Sequence, residues 1–143
     1  EAMQCFATST HPDAGTLAEQ FLDDIEQLVK GRSLPFEIDP HIYNSAMKAY
    51  AKSGNAEKAQ TIFNRCKRDF EQGNESARPN VVTWSTLIDA HAKSGNSNAG
   101  DVTSRLLIEM RKQWEQGILK EAPNTVCYSA VIDAWAQSGK ADD

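Results

Sequence analysis

Three histidines and three cysteines are the side chains of this 143-residue chain best suited to acid–base, nucleophilic or metal chemistry. His11, His41 and His91 do not form the HExxH pair that a helix presents to zinc. There is no GxSxG nucleophile turn, and no glycine loop of the kind that cradles phosphates. Cys5, Cys66 and Cys127 lack CxxC or any paired spacing, which marks them as reduced core thiols of an intracellular compartment and not as a disulfide framework. The sequence therefore predicts a protein that is not an enzyme, takes no metal or cofactor and has no small-molecule substrate.

What recurs instead is a set of short polar side chains at fixed places. Asn44, Ser85 and Ser129 directly follow the aromatics Tyr43, Trp84 and Tyr128, while Asp39, Asn80 and Asn124 stand just before those aromatics. Amides and hydroxyls on short stems offer donors and acceptors without long, floppy chains. The Asp and Asn positions are equally those that a helix wants as its N-cap. Both readings stand at this point.

The elements that position these residues follow from repetition. AYAKSGN at 49–55 returns as AHAKSGN at 90–96 and as AWAQSGK at 134–140. Ala51, Ala92 and Ala136 mark the same point in each copy, so the spacings are 41 and 44 residues. Another 44 residues back lies Ala7, where AMQCFATS (2–9) parallels AMKAYAKS (46–53). One repeat domain over 1–143 is expected, with a partial repeat at 1–39, repeats at 40–80 and 81–124, and a first helix only at 125–143, as in a piece of a longer array. From Ile25, Cys66 and Met110 to Asp39, Asn80 and Asn124 the distance is always 14 residues, which places the length difference in the turn where NAGDVT (98–103) parallels DAGTLA (13–18).

Each unit reads as two helices. Tyr43, Ala46, Met47 and Tyr50 form an apolar stripe at i, i+3, i+4, i+7, repeated by Trp84, Leu87, Ile88, His91 and by Tyr128, Val131, Ile132, Trp135. Asp39 or Asn80 can cap, Pro40 suits the first helical position, and Ser-Gly at 53–54, 94–95 and 138–139 supplies the stop. In the second helix Ala59, Ile62, Phe63 and Cys66 form the stripe, continued by Phe70, until Gly73; Met110 and Trp114 precede Gly117 in the next copy. No stretch alternates with period two for long enough to suggest a sheet. An all-α solenoid of stacked antiparallel helix-turn-helix repeats follows, since a lone hairpin cannot bury both of its apolar faces. Phe6, Tyr50, His91 and Trp135 share one equivalent site, so they read as packing residues, the histidine included.

Composition sets limits. Apolar residues make up 40 %, enough for a packed core, and no apolar run reaches membrane-spanning length. The net charge of −5 argues against a strongly basic nucleic-acid domain. No basic leader with an apolar core is visible.

ARPNVVTWSTLIDAHAKSG (77–95) and EAPNTVCYSAVIDAWAQSG (121–139) resemble the pentatricopeptide repeat family. Pro79-Asn80 and Pro123-Asn124, the aromatics Tyr43, Trp84 and Tyr128, the Ser-Gly helix ends, and Ala59, Phe63 and Met110 carry the resemblance. The tetratricopeptide repeat fits less well, because the small Gly or Ala it favours at the eighth position of its first helix has no matching Gly here. The units depart from the family's length of near 35 residues: six of the extra residues lie after Cys66 or Met110 and imply a second helix lengthened by one to two turns.

The resemblance implies a right-handed superhelix and single-stranded RNA as partner, with each base read by the fifth and last residues of a repeat. The matching pairs are Asn44 with Asn80 and Ser85 with Asn124; Ser129 opens a third pair and Asp39 closes one. It further implies Val82, Val126 and, as a departure in residue type, His41 against the bases, with Lys52 and Lys93 at phosphates. By the family's pattern Asn with Asn favours a pyrimidine, Ser with Asn adenine, and Ser129 a purine. The family implies a mitochondrial or plastid protein acting in RNA processing, stability or translation. A protein–protein scaffold within a ribonucleoprotein or other large assembly is the alternative, favoured by the long second helices and the negative charge.

Overall fold

The computed structural model of the protein describes residues 14–31 and 39–142. The copy inferred at 2–9, with Cys5, Phe6 and His11, lies outside them. The described chain forms α1 (Ala14–Lys30), α2 (Pro40–Lys52), α3 (Ala56–Glu71), α4 (Val81–Ala92), α5 (Ala99–Glu115) and α6 (Thr125–Asp142), with a 3-10 turn at Glu75–Ala77 and no strand. Local chemistry fixes most of the ends. Asp39 caps α2 ahead of Pro40, Asn80 caps α4, and Gly54 and Gly95 take φ of +75° and +79° just past α2 and α4, a region that costs glycine little. The turn after α2 spans 53–55 and that after α4 spans 93–98, so the second is three residues longer.

One expected stop is not made. Gly139 lies inside α6, whose backbone stays helical through Asp142. Gly54 and Gly95 reverse the chain where α3 and α5 fold back on the helices before them, whereas among the described residues no helix folds back on α6.

Two layers result. α2, α4 and α6 stand side by side, while α1, α3 and α5 form the second layer and stand farther apart. Long side chains bridge that wider spacing: Arg65 of α3 reaches Asp23 and Glu26 of α1 at 2.8 and 2.7 Å. Burial pulls the Arg65 pKa down, but the two carboxylates outweigh it and the guanidinium stays firmly charged. The closely packed layer of first helices is therefore the concave side.

The core lies between the layers. Leu22, Tyr43, Met47, Ile62, Leu87, Ile88 and Met110 are fully buried, and Phe63 meets Trp84 edge to face at 4.8 Å. Each such aromatic contributes about 2–3 kcal/mol by burial. Cys66 and Cys127 are free and buried, and burial, with Asp69 nearby, pushes the Cys66 thiol up to about 12. The Tyr43 hydroxyl lies 3.2 Å from Glu26 and 3.1 Å from Asp69, tying its helix to both neighbouring second helices.

One contact recurs between units. Tyr50 donates to Glu19, His91 bonds Gln60 at 2.9 Å, and Trp135 donates to Ser104 at 2.7 Å; in each case the partners are 31 residues apart. Four residues earlier on the same second helices stand Gly15, Ala56 and Gly100, at equivalent positions in the repeat. A Cβ on Gly15 would meet the Tyr50 ring at 2.4 Å, and one on Gly100 the Trp135 ring at 2.5 Å. Gln60 Nε2 donates to Asn64, which turns Oε1 toward His91 and makes the imidazole Nε2 the donor.

The third copy of the apolar stripe departs from its expected place in the core. Trp135 is 47 % and Ile132 67 % exposed, and Tyr128 is also exposed, although Val131 is buried. α6 packs on α5 before it, but among the described residues no second helix follows it as α3 follows α2 and α5 follows α4.

Gly15→Ala should destabilise by about 1–2 kcal/mol in urea unfolding, because overpacking against Tyr50 outweighs the better helix propensity of alanine; Tyr50→Leu in the same chain should recover most of the loss. Burial lowers the His91 pKa, so the unfolded chain binds its proton first and stability falls as pH drops below about 6.5. A urea midpoint followed from pH 7.5 to 5.5 should show that fall, and His91→Gln should flatten it.

Candidate nucleic-acid interface

The concave layer holds an open groove of about 760 Å3 running from α2 across α4 to the start of α6. The helical period alone gathers its lining: His41, Asn44, Lys48 and Lys52 descend one face of α2, and Val82, Ser85, Asp89 and Lys93 repeat them on α4. Asn80 and Val126 complete the ring, with Ser45 and Thr86 on its floor. Eight of the residues singled out in the sequence thus share one cavity: His41, Asn44, Lys52, Asn80, Val82, Ser85, Lys93 and Val126. Asp39, Asn124 and Ser129 are exposed and lie outside it.

Asn44 and Asn80 are brought together. Asn44 Nδ2 donates to Asn80 Oδ1 at a long 3.4 Å, and Asn80 Oδ1 also accepts from the Thr83 backbone at 3.0 Å. Thr83 returns the favour by accepting from Asn80 N at 3.1 Å, which closes a capping box and fixes the orientation of the Asn80 amide. Asn44 is only 6 % exposed, and its Oδ1 is buried without a partner, a deficit worth about 1–3 kcal/mol. The pair therefore holds an unsatisfied acceptor on Asn44 beneath the groove surface, and leaves the Nδ2 of the exposed Asn80 uncommitted as a donor. A ligand edge with one donor beside one acceptor complements it once the Asn44 amide turns toward the groove.

Ser85 and Asn124 are not joined in this way. Ser85 donates to the Val82 carbonyl at 3.2 Å, and Asn124 Oδ1 accepts from Cys127 N at 3.3 Å. Asp39 Oδ1 likewise accepts from Ile42 N at 3.3 Å. The capping reading of all three junction residues holds, and in both asparagines it occupies only Oδ1.

The groove differs in charge from the whole chain. Lys48, Lys52 and Lys93 face one aspartate, Asp89, on a protein of net charge −5. Much of the acidity sits on the other layer, where Glu19, Asp23, Asp24 and Glu26 all belong to α1. Lys93 pairs with Asp89 at 3.0 Å, whereas Lys52 is exposed and enters no ion pair that the structure records. Lys48 escaped the sequence reading because its equivalents are Asp89 and Asp133. A period-four count back from Lys52 along α2 was the signal that would have found it.

Repeated helical hairpins, an inner layer of first helices and a lined concave groove define an α-solenoid. Residues 41–69 and 82–100 match the family model of the PPR repeat. A chloroplastic pentatricopeptide repeat-containing protein of Arabidopsis thaliana is 31 % identical over 71 residues, 48 % of this chain. The chain spans about 8 % of that relative's length. No solved structure matches. Residues 41–69 and 82–100 are thus repeats of the pentatricopeptide type. No helix among the described residues is long and apolar enough to cross a membrane.

Asn80→Ala removes the cap and the box and should lower stability by about 1 kcal/mol in urea unfolding, while Asn80→Asp, which keeps the acceptor, should stay within about 0.5 kcal/mol of the parent.

Proposed function

We propose that the chain binds single-stranded RNA in the groove of the first helices and serves organellar RNA processing, stability or translation. The observation that carries this is the unsatisfied Asn44 Oδ1 beside Asn80, in a groove basic against the chain's net charge. A base that draws the Asn44 amide toward the groove, its Watson–Crick edge donating to Oδ1 and accepting from Asn80 Nδ2, removes the deficit. In this reading Asn44 with Asn80 takes a pyrimidine, leaning to cytosine. Ser85 with Asn124 takes adenine, Ser129 begins a purine site, and Asp39 closes the site before Asn44. Val82, Val126 and His41 lie against base faces, and the lysines meet phosphates. The chloroplastic location in the Arabidopsis relative's name supports an organellar setting, in a plastid.

A second reading, a scaffold for protein partners, is favoured by the exposed Tyr128, Ile132 and Trp135 on α6. Fluorescence anisotropy with short single-stranded RNAs separates the two. Binding should weaken between 50 and 200 mM salt with a slope of about −0.7 per phosphate contact, and Asn44→Ala with Ser85→Ala should erase base preference. No detectable binding at low salt would sink the RNA reading.

A further inference from the structure

The three junction residues that cap first helices are not held alike. Asp39 Oδ1 and Asn124 Oδ1 each accept from one backbone N–H, of Ile42 and of Cys127, at 3.3 Å. Asn80 Oδ1 accepts from the Thr83 N–H at 3.0 Å and also from the Thr83 hydroxyl at 3.0 Å. The same hydroxyl accepts from Asn80 N at 3.1 Å. The third residue after each cap makes the difference: Ile42 has no side-chain donor, and the Cys127 thiol is turned to Met110 Sδ at 3.7 Å. Thr83 is fully buried, and the structure records no second acceptor for its hydroxyl hydrogen among the described residues. Turning the Asn80 amide over would set its NH2 group against the Thr83 N–H and strand that hydrogen in the core, a cost that the other two junctions do not carry. The two donors of Thr83 also fill both lone pairs of Asn80 Oδ1, which leaves the Asn44 bond, at 3.4 Å, the weak one. Asn44 can therefore swing toward the groove while Asn80 Oδ1 keeps both short bonds and Nδ2 stays free. One amide of the pair is movable and the other is fixed.

We propose that Thr83 is a positioning residue for base selection: by locking the Asn80 amide it makes Asn80 a donor only, so the Asn44–Asn80 site rejects a base that sets a donor against it. This assignment rests on the RNA reading above. It adds to that site a buried residue that never touches the base, and it sets the site apart from the Ser85–Asn124 pair, where Cys127 supplies no lock.

The test uses the whole chain and two readouts. NMR relaxation gives the order of the Asn80 and Asn124 side-chain amides without ligand. Anisotropy gives the affinities of short single-stranded RNAs that differ at one base, the base whose preference Asn44→Ala erases. In the parent chain the Asn80 amide should be more ordered than that of Asn124. Thr83→Val keeps the buried volume and loses the hydroxyl. It should bring Asn80 down to the Asn124 level and shrink the ratio of best to worst base about fivefold, the weight of one hydrogen bond, while the best base loses less than about twofold in affinity. Thr83→Ser gives up the buried methyl and should unfold at lower urea, yet it should keep both the amide order and the base ratio. A purely stabilising residue would instead move the ratio with the urea midpoint. A parent Asn80 amide as mobile as that of Asn124, or an order unchanged by Thr83→Val, overturns the proposal whether or not RNA binds. RNA binding with a base ratio that Thr83→Val leaves intact, or that Thr83→Ser loses equally, also overturns it, and the RNA reading then stands. If the amide loosens as expected but no RNA binds, the RNA reading falls and base selection falls with it. Circular dichroism checks that the helices remain; should Thr83→Val unfold, Thr83→Cys, which copies the α6 junction, takes its place.

Discussion

Each first helix is held to the second helix of the unit before it by an aromatic or imidazole ring laid over a small residue and tied at its edge by a hydrogen bond. Tyr50 lies on Gly15 and bonds Glu19, and Trp135 lies on Gly100 and bonds Ser104. His91, a smaller ring, bonds Gln60, and alanine stands at the equivalent small position. The alternation of ring size with glycine or alanine keeps the helices close without a void or a clash, which close-packed interiors require. The concave groove depends on this contact, because it sets how each first helix is seated and therefore which of its faces turns inward. The tyrosine form resists ionisation, since burial and the Glu19 carboxylate raise the pKa of its hydroxyl.

The junction residues serve two demands at once. Asn80 must start α4, and its Oδ1 is committed to that task through Thr83. What it offers outward is the remaining amide hydrogens. Asn44 is in the reverse position, with its nitrogen engaged and its oxygen buried and unsatisfied. A folded protein tolerates such a deficit when packing elsewhere compensates, and local costs of this kind cluster at functional sites. Both halves of the arrangement come from a residue type that carries donor and acceptor on one short stem.

Most of the architecture was legible in the sequence because repetition supplied its own controls. The stripe at Tyr43, Met47 and Tyr50 could be checked against Trp84, Ile88 and His91, and the caps at Asp39 and Asn80 against each other. The errors came where a position leaned on a neighbour outside the local pattern. Gly139 has the same Ser-Gly signature as Gly54, but a helix stop also needs a helix that folds back, and α6 runs on. Trp135 matches Tyr50 in type and place, yet its outer edge stays in solvent without a covering helix. In the groove, the residues at copied positions were found by type, whereas Lys48 was hidden by the aspartates that stand in its place on α4 and α6. The ion pair that occupies Lys93 is a tertiary fact of one helix face and has no counterpart on α2.

The unusual length of these units bears on how the first helices of such an array are spaced. α2 and α4 span 13 and 12 residues, and the extra residues lie elsewhere: in the last turn of α3 and α5, in the segments 72–80 and 116–124, and in the turn 93–98. The distance between successive first helices is set by their direct packing, at a typical separation of about 8–10 Å. Arg78 spans neighbouring linkers, with Nη1 on the Ile118 carbonyl at 2.8 Å and its guanidinium over the Phe70 ring, and so takes up slack at the periphery. Residues can therefore be gained or lost around the rim while the graduation of the inner ruler stays the same.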